Sequence, residues 1–241
     1  MDALIYTAMS GAERTLRAQQ VHANNLANLE TSGFRADLAL SQSQAVAGFG
    51  YDARHVVQMQ TQSVANRQGT LRETGRELDV AISGEGYFAV RWADGEAYTR
   101  SGTFSLDAQG TLNLNGHPVL GDGGPIVLPP FSQMAIAQDG TISIRQEGNP
   151  VMQPVDRLKL VTLPANGVTK NEAGFIVSRA GTPATPSDTV QVHSGHLESS
   201  NVSAIEEMIA TMSLNRDFEL QMKLYKAADS MADTGNRLIR E

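Results

Sequence analysis

The stretch HLESSNVSAIEEMIATMSLNRDFELQMKLYKAADSMADT, residues 196–234, runs for 39 positions without a glycine or a proline. Helix interiors exclude those two residue types most strongly, so the stretch predicts a long helix. Ser203 and Glu206 have the spacing of a capping box, and we place the helix at 202–238. At 1.5 Å per residue such a helix is roughly 55 Å long, which exceeds the diameter of a small domain.

Apolar side chains recur along this helix at a spacing typical of one helix face. They are Val202, Ile205, Met208, Ile209, Met212, Phe218, Met222, Tyr225, Met231 and Leu238. Two interpretations follow: an ordinary surface helix packed on its own domain, or a helix whose apolar stripe is completed by a partner. We favour the second, because the helix is longer than the domain that would have to cover it.

A second window without glycine or proline lies between Gly11 and Gly33. Around it, apolar positions alternate at four- and three-residue spacing, as in a coiled-coil seam, with one polar interruption. The stripe consists of Ile5, Met9, Ala12, Leu16, Gln19, Ala23 and Leu26. A helix over residues 3–28 is roughly 39 Å long, and Gly33 offers a stop signal after it.

The middle of the chain, from about Arg72 to Val192, alternates apolar and polar residues and contains many glycine turns, as in Asn115-Gly116. No helix-period stretch interrupts it, which argues against a parallel sheet. The predicted fold class is α+β: a mostly antiparallel β central domain flanked by long N- and C-terminal coiled-coil-forming helices. The predicted segments are an N-terminal helix and motif at 1–35, a connector at 36–71, a β-rich domain at 72–196 and a C-terminal helix at 197–241.

Composition excludes several classes of function. The net charge is −7 with no basic run, so nucleic acid is a poor partner, and there is no cysteine to form a disulfide or a thiolate metal site. No apolar run reaches the roughly 20 residues that span a bilayer. The N-terminus lacks the charged and apolar regions of a cleavable secretory signal, so we expect none.

Sites for chemistry are also weakly indicated. His193 and His196 have a spacing that could hold a metal, but two histidines at a strand edge are usually polar surface. Asp107 and Asp139 precede turn glycines, where aspartate is common for conformational reasons. We therefore predict no catalytic residue, no metal and no cofactor. One alternative from another class is a secreted β-rich carbohydrate-binding domain, although Trp92 is the only tryptophan.

Three groups of residues carry a family resemblance. The first is Asn24-Asn25-Leu26-Ala27-Asn28 followed by Thr31-x-Gly33-Phe34-Arg35. The second is Thr74-Gly75-x-x-Leu78-Asp79-Val80-Ala81-Ile82-x-Gly84-x-Gly86-Tyr87-Phe88, continued by Tyr98-Thr99-Arg100. The third is Leu197-Glu198-x-Ser200-Asn201-Val202, then Glu207-Met208-Ile209 and Arg216-x-Phe218-Glu219. In this order they resemble the flagellar basal-body rod and hook proteins, and the length and opening residues resemble the proximal-rod type. The distal-rod type is the alternative within the family.

The resemblance implies a structural subunit, not an enzyme. Such a protein would pass through the flagellar type III export apparatus without a cleaved signal and join other rod subunits in a hollow, helical, torque-transmitting rod across the periplasm. We expect the apolar stripes to bury against each other and against neighbouring subunits, and the asparagines to set the register between subunits. The predicted assembly residues are Ile5, Met9, Leu16, Asn24, Asn25, Leu26, Asn28, Gly33, Phe34, Ile205, Met208, Met212, Arg216, Phe218, Glu219 and Met222.

Overall fold

The computed structural model of the chain describes residues 2–45, 55–59, 63–93, 95–164 and 167–240. The chain divides into two compact units. Unit 1 contains Met1–Ala27, Asp37–Gln62 and Ser203–Glu241, and unit 2 contains Asn28–Ala36 and Ser63–Val202. Among the described residues, no helix combines the length and the hydropathy that a membrane span requires.

Unit 1 is built from both chain ends. Its elements are α1 (Asp2–Ala27), β1 (Asp37–Leu38), β2 (Ser41–Ala45), β3 (His55–Met59) and α2 (Ala204–Arg240). Strands β2 and β3 pair antiparallel, with Ser43 opposite Val57. Ser203 caps the start of α2, since its hydroxyl accepts the N–H of Glu206 at 3.5 Å. The Ser203 carbonyl accepts the first helical hydrogen bond, from the N–H of Glu207 at 3.0 Å.

The two helices contact each other along small and polar residues. Thr15, Ala18, Val21 and Asn25 are buried on α1, and Val21 is the largest apolar residue among them. From α2, the Gln221 amide donates to the Thr15 hydroxyl at 3.3 Å, and Glu207 accepts from Asn25 at 3.1 Å. The Gln221 Oε1 on this face is buried without a hydrogen-bond partner among the described residues, so the polar groups of the contact are only partly satisfied.

The predicted fold class is wrong in its coiled-coil-forming helices. The described residues contain two helices, one at each end, and the large apolar residues of the predicted seams do not fill their contact. Leu16 of α1 is exposed while Thr15 is buried. Among the described side chains of α1, the buried positions are 15, 18, 21 and 25. Three of them, 15, 18 and 25, precede a predicted seam position by one residue, which turns the buried face by about 100°. Three- and four-residue spacing fits more than one face of a helix, so the pattern could not select the face that packs.

Unit 2 is a set of small antiparallel sheets. Its strands are β4 (Ser63–Val64), β5 (Leu71–Glu73), β6 (Val80–Ser83), β7 (Tyr87–Trp92), β8 (Gly95–Thr99), β9 (Ser105–Leu106), β10 (Leu112–Leu114), β11 (His117–Pro118), β12 (Leu120–Gly121), β13 (Gly124–Pro125), β14 (Gln133–Ile136), β15 (Thr141–Arg145), β16 (Gln153–Arg157), β17 (Leu160–Val161), β18 (Val168–Lys170), β19 (Ile176–Ser178), β20 (Gln191–Ser194) and β21 (His196–Glu198). The largest sheet has the order β17-β7-β8-β19-β18, and two three-stranded sheets have the orders β14-β15-β16 and β11-β10-β9. Shorter pairs are β12 with β13, β20 with β6, and β21 with β5.

The core of unit 2 lies between these sheets. Phe88 and Phe104 are fully buried and meet edge to face, with ring centroids 5.2 Å apart. Aliphatic residues from β6, β10, β15 and β20 surround them. Gly102 is required beside this cluster, because a Cβ there would lie 1.7 Å from the Val80 carbonyl oxygen. Tight packing of this kind makes unit 2 intolerant of added volume.

Candidate assembly surface

The N-terminal half of α2 exposes a run of large apolar side chains. Ile205 is 72% exposed, Ile209 63% and Met212 60%, and Met208 is exposed beside them. The spacing of four and then three residues places the first three on one side of the helix. Large exposed apolar patches on soluble proteins mark interaction sites, so we call these four residues the α2 patch.

The predicted stripe of α1 has mixed positions in the structure. Met9 and Leu16 are exposed, and Leu26 is half-buried. The Ile5 side chain lies outside the described part of the structure. On α2, Phe218 is half-buried and Met222 is 38% exposed. Their predicted contacts with other subunits stay predictions.

A groove lies between the two helices within unit 1, at some distance along α2 from the α2 patch. Its volume is about 210 Å³. It is lined by Met9, Ala12, Gln221, Met222 and Tyr225. Ten residues of helix, about 15 Å, separate Met212 from Met222, so patch and groove are two different surfaces.

The three predicted asparagines have partners within the chain. Asn25 is buried: its Oδ1 accepts the N–H of Asp37 at 2.8 Å, and its Nδ2 donates to the Asp37 carbonyl at 3.0 Å and to Glu207. Asn24, which is exposed, donates to the Asp37 carboxylate at 3.0 Å. Asn28 accepts from the Thr31 hydroxyl at 3.1 Å. The amide of Asn25 therefore links the end of α1 to the strand that follows, and a register role between subunits stays a prediction.

The remaining predicted residues form two pairs, one in each unit. Arg216 and Glu219 are exposed on α2. Gly33 and Phe34 belong to unit 2, where the Lys170 ammonium lies 3.8 Å from the centre of the Phe34 ring. Gly33 has φ of +69°, and a Cβ there would lie 2.2 Å from the Ser101 nitrogen, so only glycine fits.

Sequence reasoning missed a buried ion cluster in unit 2. Glu198 binds both Arg35 and Arg100, with nitrogen–oxygen distances of 3.0 and 2.7 Å, and all three side chains are at most 4% exposed. These residues stand inside the family motifs but 163 and 98 positions apart in the chain, so no spacing signal joins them. Burial lowers the pKa of Arg35, although the charge of Glu198 opposes that shift.

The residues considered for chemistry have structural surroundings. Among the described residues, no three of the His, Cys, Asp and Glu side chains are grouped so that they could hold a metal. The rings of His193 and His196 have centroids 6.1 Å apart. Asp107 accepts the N–H of Thr111 at 2.7 Å and that of Gln109 at 2.9 Å, and these bonds lower its pKa. Asp139 has a lowered pKa for the same reason, since the N–H of Thr141 donates to it at 3.0 Å.

Comparison with known families matches three separate parts of the chain. The family described as "Flagella basal body rod protein" matches residues 5–35. "Flagellar hook protein FlgE/F/G D1 domain" matches residues 81–144. "Flagellar basal body rod FlgEFG protein C-terminal" matches residues 193–238. Both helices and the centre of unit 2 thus match rod and hook proteins.

Similar proteins cover nearly the whole chain. The flagellar basal-body rod protein FlgF of Escherichia coli is 41% identical, with 99% of each chain covered. FlgF of Salmonella typhimurium is 40% identical over the same shares. FlgG of Buchnera aphidicola, subspecies Schizaphis graminum, is 29% identical, with 90% of this chain and 93% of FlgG covered.

The chain therefore belongs to the flagellar basal-body rod protein family, which confirms the resemblance seen in the sequence. Within that family its similarity is to FlgF, so it is a structural rod protein of the FlgF type, and the distal-rod alternative is not favoured. Its location is the flagellar basal body, and its partners are other rod components. The carbohydrate-binding alternative is not favoured either.

Proposed function

We propose that this chain joins the rod through apolar surfaces of its terminal helices, and that it works as a load-bearing part with no catalytic role. The observation that supports this most directly is the α2 patch, in which Ile205, Ile209 and Met212 are more than half exposed. The patch lies in a segment that matches the C-terminal family model. Neighbouring axial subunits would cover it.

The energetics favour assembly through several weak contacts. Full burial of a large apolar side chain contributes about 1.5–3 kcal/mol. The four residues of the α2 patch are between 52% and 72% exposed, so covering them would contribute about 4–7 kcal/mol. Association costs about 4–15 kcal/mol in lost freedom of motion. One such contact is marginal, so a subunit would be held firmly only where several neighbours meet it.

The separation of patch and groove favours a polymer over a closed dimer. A contact between two different surfaces is heterologous, and repeating it produces a ring or an open helix. The α2 patch is convex and the groove lined by Met9, Met222 and Tyr225 is concave, so each could receive the other from a neighbour. A hollow helical rod that transmits torque is consistent with this arrangement.

Export and segment roles complete the proposal. The chain would reach the rod through the flagellar type III export apparatus without a cleaved signal, so that apparatus is its other partner. The predicted segments 1–35 and 197–241 would serve assembly, and 72–196 would form the outward part of the subunit. Mass spectrometry of the protein in isolated basal bodies tests export without cleavage. An intact N-terminus is expected, and a shortened one would contradict the proposal.

The assembly surface is tested with the variant Ile209→Lys. An ammonium placed in a covered apolar contact costs several kcal/mol, enough to cancel the contribution of the α2 patch. In a strain lacking the gene, we expect wild type to restore motility and complete rods, and Ile209→Lys to leave rods unfinished by electron microscopy of basal bodies. Gln146→Lys is the control, because it adds the same charge at an exposed position of unit 2, outside α2.

The purified variant must keep its helical circular dichroism, so that a folding failure is not read as an assembly failure. Complete rods and normal swimming with Ile209→Lys would refute the proposed surface. Equal loss with Gln146→Lys would also refute it, since the effect would then follow the added charge and not the α2 patch.

A further inference from the structure

We infer that Glu198 is the positioning residue of an ionic clamp that fixes, within unit 2, the stretches through which the chain enters and leaves that unit. Three stretches meet there: 28–36, 63–73 and 197–202. The chain passes from one unit to the other after residues 27, 36, 62 and 202, and each of these points borders one of the three stretches.

Both oxygens of the Glu198 carboxylate are fully engaged. Oε1 accepts the N–H of Gly69 at 2.8 Å and one N–H of Arg35 at 3.0 Å. Oε2 accepts Nε and Nη2 of Arg100, each at 2.7 Å. The Glu198 carbonyl also accepts the N–H of Gly33 at 2.7 Å. One residue thus contacts the other two stretches and, through Arg100, the body of unit 2.

Arg100 anchors the clamp to the sheets. Its Nη1 donates to the carbonyls of Gly84 and Gly86 at 2.9 and 2.8 Å, in the turn between β6 and β7. Its Nη2 also donates to Ile82 at 3.4 Å. With the two bonds to Glu198, all five N–H donors of this guanidinium have acceptors. A buried charge so completely paired has one favoured position.

Arg35 is the second cation of the clamp. It donates to Glu198 and to the carbonyl of Arg67, so it joins the first stretch to the other two. Its own carbonyl accepts from Lys170 at 2.6 Å. The three buried side chains carry two positive charges and one negative. Removing Arg35 would leave a balanced pair, whereas removing Glu198 would leave two buried cations without their shared anion.

Asn201 closes the clamp beside the ions. Its Oδ1 accepts the N–H of Ala36 at 2.7 Å, and its Nδ2 donates to the Arg67 carbonyl at 2.7 Å. Its own backbone carbonyl accepts from the Arg67 guanidinium at 3.0 Å. The three stretches are therefore connected both by the ion pairs of Glu198 and by the hydrogen bonds of the Asn201 amide.

The clamp suits a part that bears load, a point that rests on the proposed function. Force applied along the chain reaches unit 2 through its covalent connections, and fixed anchor points would deform less than loose ones. The distances between residues 28, 36, 63 and 202 would then be fixed by the contacts of Glu198 and not by the conformation of the loops.

The first test is Arg35→Met, which keeps much of the aliphatic stem and leaves the Arg100–Glu198 pair balanced. We expect the purified full chain to fold and its amide hydrogen exchange to quicken at least tenfold in peptides covering 33–36 and 67–70. Peptides covering β14–β16 should be unchanged. Asp188→Asn is the control, because it removes an exposed ion pair of the same unit, with Arg157 at 2.8 Å, and should leave exchange at 33–36 and 67–70 unchanged.

A second variant, Glu198→Gln, should extend the faster amide exchange to all three stretches. If Glu198→Gln does not fold, the result for Arg35→Met is sufficient to test the clamp. Equal acceleration throughout unit 2 would overturn the inference, because it would mean general destabilisation. Unchanged exchange at 33–36 in Arg35→Met would overturn it as well. Neither result depends on rod assembly, so the clamp and the proposed function can fail separately.

Discussion

Asn24 and Asn25 are adjacent and chemically identical, yet the structure predicts very different costs for their removal. Asn25 is 1% exposed and satisfies both the N–H and the C=O of Asp37, besides donating to Glu207. A buried polar group that loses its partner costs about 1–3 kcal/mol. Two backbone groups are affected, so we expect Asn25→Ala to lower the free energy of unfolding by about 3 kcal/mol in total.

Asn24→Ala is the matched control. Asn24 is exposed, so water can take its place in the 3.0 Å hydrogen bond that it donates to the Asp37 carboxylate. We expect a cost of about 0.5 kcal/mol for that variant. The difference of about 2.5 kcal/mol corresponds to roughly 60-fold in the unfolding equilibrium.

The assay is urea unfolding followed by helical circular dichroism, because both helices belong to unit 1. Amide exchange of Asp37, whose N–H would lose its acceptor, gives a local readout. The variant Asn25→Asp keeps the volume and the acceptor but sets a carboxylate oxygen against the Asp37 carbonyl, so it should cost at least as much as alanine. Costs for Asn25→Ala and Asn24→Ala within about 0.5 kcal/mol of each other would refute the reasoning.

Two further predictions concern unit 2. Burial raises the pKa of Tyr98 to about 12, so its contribution to stability should be complete below pH 10 and disappear as the pH rises from 10 to 12. Between pH 10 and 12 the melting temperature should fall less steeply for Tyr98→Phe than for wild type. Parallel plots of melting temperature against pH for the two proteins would contradict this. Gly69→Ala should cost about 2–4 kcal/mol by urea unfolding, because the new Cβ would lie 1.9 Å from the Ser199 carbonyl oxygen. Gly123→Ala is its control, since a Cβ there meets nothing within 4 Å, and equal costs would show that the close approach is irrelevant.

Local features of the chain were readable from sequence. The windows without glycine or proline indicated helices near 3–28 and 202–238, and helices are present at Asp2–Ala27 and Ala204–Arg240. The Ser203 cap followed from residue types at a fixed spacing. The family followed from motifs at both ends and in the centre. Each of these depends on neighbours within a few residues, where steric and hydrogen-bonding preferences act without reference to the rest of the fold.

The packing face of the helices needed the tertiary structure. Apolar periodicity singled out Leu16, which is exposed, whereas the neighbouring Thr15 is buried and its hydroxyl accepts a hydrogen bond from Gln221 of α2. The sequence registers how apolar a position is, but close approach of two helices also depends on small size and on which polar groups can pair. Side-chain size and polar pairing must match on both helices at once. The periodicity of one helix therefore could not identify the face that packs.

The amino-acid sequence by itself determined that this chain has helical ends, a β-rich middle and membership of the rod family. Only the tertiary structure decided that Arg35, Arg100 and Glu198 meet, and that Asn25 holds the backbone of Asp37. The physical reason is distance along the chain. Preferences for helix, turn and cap depend on residues close together in the chain. The buried charges and amides pair only after long loops close, and no local sequence pattern indicates those pairs.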